Sequence, residues 1–144
     1  MQSYPHQYQV TGHSAPSGDV TLSAQGVIDL PSAPPVEFDG PGDKWSPESL
    51  LVGAVADCFI LTFRAIARAS HFEWVSLSCE AEGVLDKGDQ GTQFTAFHLN
   101  AKLEVSAGAD HEKARRLLEK AERNCLITNS LVARVHLNSE VMEA

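Results

Sequence analysis

The stretch that decides the fold of this chain is residues 46–59, which read Ser46-Pro47-Glu48-Ser49-Leu50-Leu51-Val52-Gly53-Ala54-Val55-Ala56-Asp57-Cys58-Phe59. Ser46 suits the N-cap of a helix, and Pro47 suits the first helical position. Residues 50–63 are apolar on nearly all sides. The pattern therefore predicts a helix that is buried in the middle of the protein and extends to about residue 70.

A second helix is predicted over residues 111–124, with an apolar stripe that Cys125 continues. Cys58 and Cys125 are 67 positions apart, so their thiols can meet only if the fold brings the two helices together. If they meet, they form a dithiol that can cycle through a disulfide. From the residues alone, a small buried hydrophobe is the more common role for each, because free cysteine is among the most buried residue types.

The remaining segments predict strands and turns. Residues 6–12 and 19–30 read as strands with glycine turns, and residues 31–43 as an irregular loop. Two alternating segments, 74–85 and 97–105, flank a turn at 86–91 and predict a hairpin, on whose inward face Cys79 would be structural.

The end of the chain completes the predicted order of elements. Residues 128–133 would resume the second helix, and 134–141 would form a closing strand. The order of strands, long helix, hairpin, helix and strand predicts an α+β fold rather than a doubly wound one. We expect a single domain over residues 1–144.

Composition excludes several classes of partner. The net charge of −8 argues against nucleic acid or an anionic membrane surface as a partner. The apolar run 50–63 has 14 residues, which is short for a membrane span. The N-terminal residues lack the features of a secretory signal, and three cysteines are an odd number for a disulfide framework. We therefore expect a cytoplasmic protein whose thiols stay reduced.

Metal and cofactor motifs are missing from the sequence. No two of the six histidines are spaced three or four residues apart as helical metal ligands would be, so a metal site has no support. The chain has no phosphate-binding loop that ends in Lys-Ser/Thr and no Gly-x-Ser-x-Gly elbow. We expect neither nucleotide binding nor serine hydrolysis, and no cofactor.

The charged residues that follow Cys58 in the sequence do not show how its thiol would be activated. Arg64 and Arg68 lie six and ten positions after Cys58 on the predicted helix, so neither is its neighbour on one face. A cation that activates this thiol would have to come from elsewhere in the fold. Glu48 could simply satisfy the helix dipole, or it could orient a hydrogen bond at the site of the reactive thiol.

Two signatures in the sequence resemble the osmotically inducible protein C (OsmC) and organic hydroperoxide resistance family. Residues 37–42 and 46–59 match its Gly-rich loop, its Asn/Ser-Pro-Glu motif and its Ala-rich helix ending in Ala-x-Cys-Phe. Residues 121–131 match its second signature, commonly Ala-x-x-x-Cys-Pro-x-Ser. The resemblance covers nearly the whole chain. It implies an OsmC-like fold, with antiparallel sheets packed around two central helices in an intertwined homodimer whose active sites form at the subunit interface.

The resemblance also implies a thiol-dependent peroxidase that protects against oxidative stress. Cys58 takes the place of the family's peroxidatic cysteine, and Cys125 that of its resolving cysteine. Glu48 matches the family's glutamate ten positions before the peroxidatic cysteine. The implied partners are an organic hydroperoxide as substrate and a dithiol as reductant, which is a lipoylated protein in one branch of the family. Leu51, Phe59 and Phe63 would supply apolar walls for the substrate.

The sequence departs from the family pattern at two places. The family's peroxidases pair the thiolate with an arginine from the early strand region, but residues 13–18 contain none and the first arginine is Arg64. Leu126 stands where proline is usual. These departures keep an alternative open, namely a divergent OsmC-like stress or small-molecule-binding protein with little peroxidase activity.

Overall fold

The structure is a computed structural model that describes all 144 residues, which divide into two compact units, Met1–Leu50 and Leu51–Ala144. The first unit contains an antiparallel sheet of three short strands, in the order β1 (Thr11–His13), β2 (Val20–Ser23) and β3 (Leu30–Ser32). Of the strand predicted at 6–12, only residues 11 and 12 lie in β1, so the prediction is wrong for residues 6–10; within 19–30, only residues 20–23 and residue 30 form strands. The longer segment is split into two strands, because the chain turns through Gly26, whose φ is 82°.

The segment predicted as an irregular loop is a compact turn. It contains a short 3-10 helix, Val36–Phe38, and the N–H groups of Phe38 and Gly40 both donate to the carbonyl of Pro35 at 2.9 Å. A Cβ atom at Gly40 would collide with the carbonyl group of Pro34, so only glycine fits this close approach.

Helix α1 (Pro47–Ala69) begins as the sequence predicts. The N–H of Ser49 donates to the hydroxyl of Ser46 at 3.1 Å, and the N–H of Ser46 donates to the hydroxyl of Ser49 at 2.9 Å. This reciprocal arrangement is a capping box in which a second serine replaces the usual Glu or Gln. Ser46 is confirmed as the N-cap.

The second unit contains a sheet of three longer strands in the order β4 (Ser76–Gly88), β5 (Gly91–Val105) and β6 (Arg134–Glu143). The β4–β5 hairpin is antiparallel, as predicted. β6 runs parallel to β5, so the expectation of antiparallel sheets holds only for the first sheet and for the hairpin. The chain between β5 and β6 forms a helical crossover, which returns it to the same end of the sheet and makes the pair parallel.

Helix α2 (His111–Arg123) forms that crossover. The carboxylate of Asp110 caps it by accepting the N–H of Lys113 at 3.0 Å. The predicted resumption over 128–133 is only a 3-10 turn, Thr128–Ser130. The segment between α2 and β6 is therefore mostly non-helical, and it is this segment that carries Cys125.

The core of the second unit lies between α1, the inward face of β5 and α2. One face of α1 is completely buried, with a residue every four positions: Val55, Phe59, Phe63 and Ala67. A Cβ at Gly83 of β4 would approach the side chain of Val52 to 2.7 Å, so glycine lets the strand and helix pack closely. The prediction of a helix buried on all sides is wrong, because Leu61 and other residues of α1 remain exposed in the single chain.

Helix α1 is 23 residues long, and by length and composition it could cross a membrane. Core helices pass the same test, and the buried face described above packs into the core cluster of the second unit. The apolar run of 14 residues is therefore only part of the helix, because the flanking polar positions also belong to α1.

Candidate active site

Cys58 lies near the middle of α1 and is half-buried. Its Sγ is 3.8 Å from the hydroxyl of Thr62, one helical turn later. This pair follows from the helix itself, since residues four positions apart share a face. The thiol is therefore reachable from solvent on one side and has a polar neighbour on the other.

Cys125 follows the end of α2 and is 2% exposed. Its N–H donates to the carbonyl of Glu122 at 3.3 Å, and its own carbonyl accepts the N–H of Asn129 at 3.0 Å. These two bonds fix the backbone as the chain leaves the helix. The Cys125 thiol lies close enough to the Cys58 sulfur for each group to shift the pKa of the other, so the structure brings together the two cysteines that the sequence places 67 positions apart.

The environment of Cys58 favours its thiolate. Burial raises the pKa of the Cys58 thiol, but four hydrogen bonds together outweigh burial and place the pKa below its ordinary value. In decreasing order of effect, these bonds come from the backbone N–H of Ile127, the thiol of Cys125, the hydroxyl of Thr62 and the backbone N–H of Leu126. No cation is among the groups that shift this pKa most.

The environment of Cys125 favours its neutral thiol. Burial raises the pKa of Cys125, and hydrogen bonds from the backbone and hydroxyl of Thr128 oppose that rise. The hydrogen bond and the charge of Cys58 raise it further, so the net pKa lies above the ordinary value. The two neighbouring thiols are thus unequal, because Cys58 loses its proton more readily than Cys125.

Cys79 lies on β4 opposite Ala101 of β5 and is half-buried. Burial, followed by the charge of Cys125, raises the pKa of Cys79 to about 11. A thiol with such a pKa is almost entirely protonated at neutral pH and is a poor nucleophile. This agrees with the structural role predicted for Cys79.

Glu48 lies in the first turn of α1, in the first compact unit. Its Oε1 atom is buried and has no hydrogen-bond partner. Ten residues on one helix correspond to an axial rise of about 15 Å, so Glu48 and Cys58 of the same chain are not neighbours. The functional role predicted for Glu48 stays a prediction.

Sequence reasoning missed three donors at Cys58. Thr62 could have been found, because its four-residue spacing from Cys58 is visible in the sequence. The N–H groups of Leu126 and Ile127 could not, because every residue except proline has one and only the fold directs it. The apolar walls predicted from Phe59 and Phe63 are wrong, since both side chains are completely buried in the core.

A family model described as "OsmC-like protein" matches residues 40–140 of this chain. The chain belongs to the OsmC family. It is 33% identical to the uncharacterized protein YmaD of Bacillus subtilis (strain 168) over 109 residues, which cover 74% of this chain and 73% of YmaD.

Solved structures of OsmC-like proteins share the fold. An OsmC-like protein of unknown function from Vibrio cholerae superposes with a TM-score of 0.87 at 19% identity, covering 94% of this chain and 100% of that one. The organic hydroperoxide resistance protein OhrB of Bacillus subtilis gives a TM-score of 0.69 at 22% identity, covering 94% and 98%. The α+β arrangement of two helices and two sheets is therefore the OsmC-like fold, as the resemblance implied.

The three thiols should differ in their rates of alkylation by iodoacetamide. Cys58 should react first near pH 7 and reach its plateau at a lower pH than an ordinary thiol. The pKa of Cys79, about 11, leaves it roughly a hundredfold less thiolate than a thiol at the ordinary value of 9.0, so it should label slowly. Peptide mass spectrometry of samples quenched over a range of pH measures each site. Equal labelling of Cys58 and Cys79 would contradict the site described here.

Proposed function

We propose that this member of the OsmC family is a cysteine-based peroxidase that reduces organic hydroperoxides through a Cys58–Cys125 disulfide cycle, as part of oxidative stress defence. The observation that carries the proposal is the contact between two thiols whose pKa values are displaced in opposite directions, that of Cys58 downward and that of Cys125 upward. A peroxidase of this type needs one thiolate to attack the peroxide and a second thiol within reach of the resulting sulfenic acid to resolve it.

In the first step, the Cys58 thiolate attacks the distal oxygen of the hydroperoxide. The O–O bond breaks, the sulfur is oxidised by two electrons to a sulfenic acid, and the alkoxide takes up a proton and leaves as the alcohol. The lowered pKa supports this step, because the thiolate is the nucleophile.

In the second step, the sulfur of Cys125 attacks the sulfenic sulfur of Cys58. An S–S bond forms and water leaves, with the proton of the Cys125 thiol. A dithiol reductant, for which we propose a small dithiol or a lipoylated protein, then exchanges with the disulfide and returns both cysteines to thiols. This cycle requires a reducing compartment, so we place the protein in the cytoplasm.

The surroundings of Cys58 support an organic substrate. Leu61 lies three positions after Cys58 on α1 and is 49% exposed, and Leu126, whose N–H reaches Cys58, is 68% exposed. Exposed apolar side chains beside a reactive thiol favour an alkyl or aryl group over the small polar hydrogen peroxide. They take the place of the apolar walls expected from Phe59 and Phe63.

Cysteine variants test the enzymatic proposal directly. Cys58→Ser should lower the consumption of cumene hydroperoxide with a dithiol reductant to the background rate, since it removes the nucleophile. Cys125→Ser should leave a sulfenic acid on Cys58 that dimedone traps. Cys79→Ser is the matched control and should keep most of the turnover. Full turnover by Cys58→Ser, or wild-type thiols that react no faster than free cysteine, would favour the binding-protein alternative.

We also propose that the active form is a homodimer. The first unit buries one hydrophobic side chain, that of Ala33, whereas several large apolar residues on it are exposed in the single chain: Tyr8, Val10, Val27, Ile28, Val36, Phe38 and Trp45. A soluble chain seldom leaves so much apolar surface uncovered, and a second copy would cover it. We propose that Glu48 then serves the Cys58 of the partner, since about 15 Å of helix separates it from the Cys58 of its own chain.

Mixed dimers test this arrangement. The native protein should have twice the 15.6 kDa mass of the chain by light scattering. Cys58→Ser and Glu48→Gln should each lose most activity alone. Unfolded and refolded together, they should recover up to about a quarter of wild-type activity, because half of the subunits pair as heterodimers and each heterodimer has one complete site. A monomeric protein, or mixtures as inactive as the single variants, would contradict the proposal.

A further inference from the structure

The turn that follows Cys125 presents two backbone N–H groups to Cys58. The bond from the N–H of Asn129 to the carbonyl of Cys125, 3.0 Å long, closes this turn. The N–H groups of Leu126 and Ile127, which lie inside it, have no backbone acceptor. Both lie near enough to the sulfur of Cys58 to lower the pKa of its thiol. Two donors from consecutive residues thus converge on one sulfur atom.

We propose that the backbone N–H groups of Leu126 and Ile127 hold the Cys58 thiolate, and that Leu126 positions this thiolate through its N–H. The inference rests on the proposed peroxidase function for its consequence in catalysis. The placement of two amide donors at one thiolate can be tested without measuring peroxidase turnover.

Amide donors suit this task because hydrogen bonds to a charged group are about twice as strong as neutral ones. Their effect on a thiolate is the same in kind as that of a nearby cation, since both favour the charged form. Cys125 is the titratable group in contact with Cys58, and on α1 itself Arg64 lies six positions away, on another face. The backbone donors therefore supply what a cationic side chain would otherwise have to supply.

Residue 126 contributes to the site through its backbone N–H, which every residue except proline has. The side chain of Leu126 is 68% exposed and contributes little packing, so the structural contribution of this position is its N–H. Proline has no N–H and would remove one of the two donors. Because the N–H of Leu126 has no backbone acceptor, its loss breaks no bond of the turn itself.

A matched pair of variants, Leu126→Pro and Leu126→Ala, isolates the N–H from the side chain. The rate at which iodoacetamide modifies Cys58, read by peptide mass spectrometry across a range of pH, reports the midpoint of its ionisation in the absence of any peroxide. In Leu126→Pro the midpoint should rise and the rate near pH 7 should fall roughly three- to tenfold, as expected for the loss of one hydrogen bond of ordinary net strength. In Leu126→Ala, which keeps the N–H, both should match the wild type.

Two results would overturn the inference: an unchanged midpoint in Leu126→Pro, or equal shifts in both variants. If Leu126→Pro does not fold, as judged by circular dichroism, replacing Leu126 with leucic acid removes the N–H through a backbone ester without restricting φ. In this ester variant, the midpoint of Cys58 ionisation should rise as expected for Leu126→Pro. Failure of the peroxidase proposal would leave these midpoints unaffected and would appear only as absent turnover in the wild type, so the two failures are distinguishable.

Discussion

The proposed chemistry requires the thiols of Cys58 and Cys125 to lie close together, and several parts of the second unit must be in place to bring them there. The α1 face that contains Phe59 and Phe63 packs into the core and fixes the orientation of the helix. Helix α2 buries its own apolar stripe in the same core and delivers Cys125 at its end. The burial of these side chains therefore sets the distance between two sulfur atoms that are remote in sequence.

The unequal pKa values of the two thiols follow from this geometry. Cys125 is more buried and acts as a donor, whereas Cys58 is half-exposed and receives hydrogen bonds from several groups. Of the two thiols, Cys58 is therefore the more readily ionised. The arrangement thus produces a nucleophile and a resolving thiol from the same residue type, and Cys79, without comparable donors, stays neutral.

Much of the fold could be predicted from the sequence because the relevant signals are local. Ser46 and Pro47 mark the start of α1, and the alternation of apolar residues in β4 and β5 predicts the hairpin. The parallel pairing of β6 could not be predicted in this way, because it depends on the path of the crossover through α2. The exposed face of α1 was also missed, since a run of apolar residues does not show which of them a single chain covers.

The candidate site likewise contains some groups that the sequence predicts and others that it does not. Cys58 and Cys125 could be found from their positions on apolar stripes and from the resemblance to a family. The donors from Leu126 and Ile127 belong to the backbone, and the sequence carries no signal for where a backbone N–H points. The absence of an early arginine therefore indicates a loss of activating charge, whereas neutral hydrogen-bond donors lower the pKa of Cys58 in the fold.

The most direct test of this account is to map the disulfide that forms when the reduced protein receives one equivalent of cumene hydroperoxide. Digestion without reductant, followed by mass spectrometry, identifies which peptides are joined. The account predicts one product within each chain, in which the peptide containing Cys58 is linked to the peptide containing Cys125. A disulfide that involves Cys79, a link between chains, or three free thiols after the peroxide is consumed would contradict it.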